Sequence, residues 1–125
     1  MIGQKPILAD SSIWIEHLSD RLPGFAELLR DGRVVCHPAV IGEVGLGSLR
    51  NRAGILESMA TLPAADVARD AEVLGLVNSI PLHSRGIGWV DAHLVASAIL
   101  SHALLLSRDR RLNAVAAELG IAVAI

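Results

Sequence analysis

The chain has a single cysteine, Cys36, a single lysine, Lys5, one phenylalanine and no tyrosine. One cysteine excludes an internal disulfide framework and fits a reducing compartment, so the expected location is the cytoplasm. Aromatic residues are only 2% of a chain that is 52% hydrophobic, so a core has to be assembled from Leu, Val, Ile and Ala. That mix suits strands wrapped by helices better than a β-sandwich. No apolar run is long enough to cross a bilayer, and no charged stretch leads into a signal-like apolar core, so no membrane partner is expected. The formal net charge of -2 argues against a generic polyanion binder. Finally, 125 residues suffice for one domain with a single core but not for two ordinary ones.

What is present is a run of apolar segments that end in acids. Ile7, Leu8 and Ala9 read as a strand covered on both faces, which delivers Asp10 at its carboxyl end. Ser11 and Ser12 then cap a helix carrying Ile13, Trp14, Ile15 and Leu18. Ligands of open α/β sheets bind beyond the carboxyl ends of the strands, which places Asp10 well for chemistry; the plain alternative is that it only helps to cap the helix. Phe25, Leu28 and Leu29 form a second helical stripe, and Val34 to Cys36 a second buried strand. Pro38 opens a helix that the pattern carries to Arg50, past Gly42, Gly45 and Gly47. Three glycines in one helix are costly, so close approach of a neighbour is expected there, around Glu43. A helix over 53–60, a very short strand near Pro63, a helix from Asp66 to Asn78 and a loop over 81–88 follow. Val90 to His102 reads as an apolar helix with Asp91 in its first turn, where an acid also suits the helix dipole. Ala103 to Leu106 is a strand running into Ser107 and Asp109, 110–119 a helix, and 121–125 a last strand.

Most of the thirteen acids fall in polar turns or on wet helix faces, but Asp10 and Asp109 follow apolar strands, and Glu43 and Asp91 interrupt apolar helices. Carboxylates gathered at one sheet edge repel each other unless protonated or bridged by a cation. Oxygen donors without a Cys or His cluster at metal spacing point to Mg²⁺ or Mn²⁺ rather than Zn²⁺. Such a site can hold a phosphodiester oxygen and orient a hydroxide.

The order of Asp10 in LADSSIWI, Glu43 in HPAVIGEV, Asp91 in GIGWVDAHLVASA and Asp109 in LLLSRDRRL resembles the PIN-domain ribonucleases, in particular the toxin half of VapBC toxin–antitoxin pairs. The resemblance runs through essentially the whole chain. It implies an α/β fold, one PIN-like domain over residues 1–125 with a parallel, about five-stranded sheet flanked by helices. It also implies a Mg²⁺- or Mn²⁺-dependent endoribonuclease whose catalytic, metal-holding carboxylates are Asp10, Glu43, Asp91 and Asp109, with Ser12 and Ser107 as supporting hydroxyls. Dimerisation, a VapB-like antitoxin and a structured RNA substrate, transfer or ribosomal, complete the expectation.

Ten arginines supply nearly all the positive charge, and Arg85, Arg108, Arg110 and Arg111 are candidates to grip the RNA backbone. The five histidines share no metal spacing; His93 follows Asp91 by two residues, about 200° around a helix, so the two do not share a face. Packing or surface roles are expected for all five, and Trp14 and Trp89 are expected to anchor the core or a dimer interface rather than to stack bases, with their exposure as the deciding observation. A receiver domain, also α/β with clustered acids, needs a lysine after a late strand, and Lys5 is the only one. The remaining alternative is a catalytically silent PIN-like module that works by binding antitoxin or RNA.

Overall fold

The computed structural model describes residues 5–125. Three short parallel strands form its centre: β1 (Ile7–Ala9), β2 (Val34–Val35) and β3 (Leu104–Leu106), in the order β2-β1-β3. Ile7 lies between Val34 and Leu104, and Leu8 between Val35 and Leu105. Every residue of β1 is buried, which is why the segment shows no polar alternation. Two further segments extend the sheet by one parallel bridge each, Ala64 beside Cys36 and Ala122 beside Leu105. Among the described residues three strands form where about five are expected, the outer two positions being reduced to these single bridges.

Among the described residues seven helices flank the sheet: α1 (Ser11–Leu18), α2 (Pro23–Arg30), α3 (Pro38–Gly45), α4 (Arg52–Ala60), α5 (Asp70–Ser79), α6 (Trp89–Leu100) and α7 (Arg110–Glu118). None is long and apolar enough to cross a membrane among the described residues. Helix α1 packs on α2 and α3, α3 on α4, and α5 on α6. Ile7, Leu8, Ile13, Phe25, Leu94 and Leu105 are among the fully buried side chains of one continuous core.

Two helix boundaries differ from the sequence pattern. The helix expected from Asp66 begins only at Asp70. Ser97 of α6 and Ser101, the residue that caps its end, hold the preceding segment out of the helix: the Ser101 hydroxyl accepts from Asp66 N at 2.8 Å and the Ser97 hydroxyl donates to Asp66 O at 2.5 Å. The Glu72 carboxylate then accepts from Arg69 N at 2.9 Å, starting α5. The helix expected to reach Arg50 ends at Gly45, where Arg52 Nε donates to Gly45 O at 2.6 Å and terminates it. Gly45 is also the close approach the glycines predict: a Cβ there would stand 3.1 Å from Leu56 Cδ1 and 3.2 Å from Arg52 Nη2. Gly42, beside Glu43, faces open space.

Candidate active site

In a parallel sheet the strands' carboxyl ends and the following helices' amino ends share one edge, and this edge collects three of the four candidate acids. Asp10 leaves β1 as the N-cap of α1 and is buried, with Ile13 N donating to its Oδ1 at 3.4 Å. Ser12 donates to Asp10 Oδ1 and Ser107, arriving from β3, donates to Asp10 Oδ2. The Ser107 hydroxyl in turn accepts from Asp109 N at 2.9 Å, and the Ser12 hydroxyl accepts from Arg108 N at 3.1 Å. Both serines thus staple the end of β3 to the end of β1 through the one buried carboxylate. Asp109 caps α7, accepting from Arg111 N at 2.9 Å and Leu112 N at 3.0 Å.

Asp91 enters from the first turn of α6, where its Oδ2 accepts from Gly88 N at 3.0 Å. Burial pushes its carboxyl above the ordinary range, the Gly88 bond opposes this, and the charges of Asp109 and then Asp10 raise it further. Asp10, Asp91 and Asp109 therefore form one electrostatic group.

Glu43 stands apart. It is exposed on the last turn of α3, and among the described residues no hydrogen bond or ion pair links it to the other three. No set of three or more His, Cys, Asp or Glu side chains among the described residues reaches metal-ligating separation. Asp10, Asp91 and Asp109 are each satisfied locally by a hydroxyl or an amide instead. The donor chemistry nonetheless fits a hard divalent cation: all oxygen, mutually repelling, and with lone pairs left over, since a carboxylate offers about four acceptor positions. Asp10, Asp91 and Asp109 are the residues that would hold it.

Of the four candidate arginines, two are engaged in ion pairs. Arg108 Nε donates to Glu16 Oε2 at 2.8 Å, and Arg85 makes a two-pronged pair with Glu118 at 2.9 and 2.8 Å. Arg111 lies against Gly86, whose backbone is left-handed at φ 78°; a Cβ there would come within 2.7 Å of Arg111 Cδ. Arg110 opens α7 at the surface. Two contributors escaped the sequence reading. Glu16 fixes Arg108 at the rim, and its spacing of four from Ser12 on α1 was the available signal. Asn113 donates to Ser107 O at 2.8 Å, holding the turn after β3; it stands four past Asp109 in the same way. The histidines take the packing roles expected of them where contacts are seen: His17 packs edge-on against Trp14 and Phe25, and His37 caps α3. Trp14 is 4% exposed and belongs to the core, whereas Trp89 is 46% exposed.

A parallel sheet with acids converging at its carboxyl edge defines the class, and the chain belongs to the PIN-domain family, whose profile matches residues 7–118. Within that family it is VapC-like. It is 45% identical over 119 residues to Ribonuclease VapC32 of Mycobacterium tuberculosis, strains CDC 1551 and H37Rv alike, covering 94% of this chain and 96% of the relative. Its fold is similar to the crystal structure of PAE2754 from Pyrobaculum aerophilum, with TM-score 0.59 and 20% identity, over 89% of this chain and 79% of that one.

Proposed function

We propose that the chain is a VapC-type toxin, an endoribonuclease that cleaves structured RNA, tRNA or rRNA, with Mg²⁺ or Mn²⁺, acts in the cytoplasm as a homodimer, and is silenced by a VapB-like antitoxin. The observation that carries this reading is the gathering of Asp10, Asp91 and Asp109 at the carboxyl edge of the sheet, where burial first and then the charges of Asp109 and Asp10 raise the Asp91 carboxyl. The likeness to a protein named a ribonuclease over nearly the full length supports the substrate class.

A bound divalent cation supplies Lewis acidity toward the phosphodiester. The chain's own groups do the positioning. Ser12 and Ser107 fix both oxygens of Asp10, and the amino end of α7 fixes Asp109. Glu43, exposed on α3, orients the attacking water, and Arg110 and Arg111 hold the flanking backbone, joined by Arg108 and Arg85 when RNA displaces their carboxylate partners. Water attacks phosphorus, so the products carry a 5′-phosphate and a 3′-hydroxyl and the RNA 2′-hydroxyl takes no part. End-group analysis of the fragments tests this: ligatable 5′-phosphates are expected, and a 2′,3′-cyclic phosphate would overturn the mechanism.

A further inference from the structure

Trp89 and Asp91 share the first turn of α6 but lie about 200° apart around it, so the tryptophan faces away from the acids. On its side is a groove of about 650 Å³, walled by Val67, Ala68 and Val90, with Arg69, Asp70, His37 and His93 as its polar groups. The amino ends of α3, α5 and α6 all open onto it, through Pro38, Asp70 and Trp89.

The tryptophan is held ready although nearly half of it is exposed. The His93 ring meets it edge-on at 4.7 Å and 86°, and His93 Nε2 is fixed in turn by Asp70 Oδ1 at 3.0 Å. His37 is buried beside them, its ring 6.2 Å from that of His93. Its Nδ1 accepts from Ala39 N at 3.0 Å, which places the ring hydrogen on Nε2, and that donor has no partner among the described residues. Apolar walls, a fixed aromatic face and a few polar groups match a nucleobase, which has apolar faces and a polar edge. The three helix amino ends add partial positive charge for the phosphate attached to that base.

We propose that this groove seats an unstacked base of the RNA strand adjoining the scissile phosphate, with Trp89 as its stacking face. The inference rests on the ribonuclease reading, because the groove adjoins the acids only through the first turn of α6: a strand whose phosphate lies at Asp10, Asp91 and Asp109 passes that turn and brings its neighbouring base to Trp89. A fixed platform loses little conformational freedom on binding, which favours base capture over a mobile surface aromatic.

The test uses the full chain with a short labelled single-stranded RNA of mixed sequence in EDTA, followed by cleavage of total RNA with Mg²⁺ or Mn²⁺. Trp89→Ala is expected to weaken RNA binding about 5- to 100-fold with the salt slope unchanged, since stacking releases no counterions. Trp89→Phe is expected to restore most of the affinity, and sedimentation is expected to show the same assembly for all three proteins. Undiminished binding and cleavage by Trp89→Ala, beside an active wild type, would overturn the groove alone. So would a loss of self-association in Trp89→Ala, which would make this face an interface between copies. A folded wild type that cleaves no RNA with either metal would overturn both the groove and the reading beneath it.

Discussion

At Asp10 one carboxylate oxygen is held by Ser12 and the other by Ser107, so a single buried side chain joins α1 to the end of β3. Ser107→Ala removes a donor from Asp10 and an acceptor from Asp109 N at once. The expected cost is about 1–3 kcal/mol in denaturant unfolding, the penalty for leaving buried polar groups unpaired. Asp91 behaves in the opposite sense. Its carboxyl is raised by burial and by its acidic neighbours, so ionised Asp91 opposes folding, and its contribution improves as pH falls through the raised value toward 3.8. Asp91→Asn keeps an oxygen for Gly88 N and sheds the charge. In EDTA near neutral pH its melting temperature is expected to exceed that of the wild type, while RNA cleavage falls on the order of 10²-fold or more. A variant that loses both stability and cleavage would show that Asp91 is a structural cap and no more. The acids at 10 and 109 were legible in the sequence because each follows an uninterrupted apolar strand, Asp10 directly and Asp109 after Ser107 and Arg108. The grip of Glu16 on Arg108 was not, because it joins residues 92 positions apart.

Among the elements, α3 gives the sharpest contrast. Gly42 faces open space and Gly45 faces Leu56 and Arg52 of α4. Gly42→Ala is expected to stabilise the protein by about 0.5–1 kcal/mol through helix propensity, whereas Gly45→Ala is expected to lose that gain to the clash with α4. Equal effects in thermal melts would contradict the packing described. The amino end of the same helix sets an acid limit. Burial, then the nearby His93, holds the His37 imidazole below its ordinary value of 6.5, and burial lowers His17 as well. The unfolded chain takes up protons that the folded chain refuses, so stability is full above 6.5 and is lost as pH falls through the depressed folded values. His37→Asn retains a capping side chain and is expected to melt with a shallower acid dependence below that pH; an unchanged dependence would assign the effect elsewhere. The late start of α5 shows what periodicity cannot supply. Asp66 begins a plausible helical pattern, but Ser97 of α6 and its C-cap Ser101 bind the Asp66 backbone instead, and these contacts exist only in the folded chain.

For the whole molecule, the parallel topology explains the site. Strands that all run one way send their carboxyl ends, and the amino ends of α1 and α7, to a single edge, where Asp10 and Asp109 meet Asp91 from α6. Three strands and the helix order were readable from apolar runs and caps. The outer strand positions were only partly readable, since single bridges at Ala64 and Ala122 leave a weak period. Glu43, grouped with the other acids by the family resemblance, stays exposed on α3, apart from Asp10, Asp91 and Asp109. The central proposal is metal-dependent cleavage that needs Asp10. The direct measurement is incubation of total RNA with antitoxin-free protein in Mg²⁺ or Mn²⁺, in EDTA, and with Asp10→Asn as the matched control. Discrete fragments that appear only with metal and only with Asp10 intact are the predicted result. Fragments that persist in EDTA or with Asp10→Asn, or none from folded wild type across several RNA pools, would contradict the account.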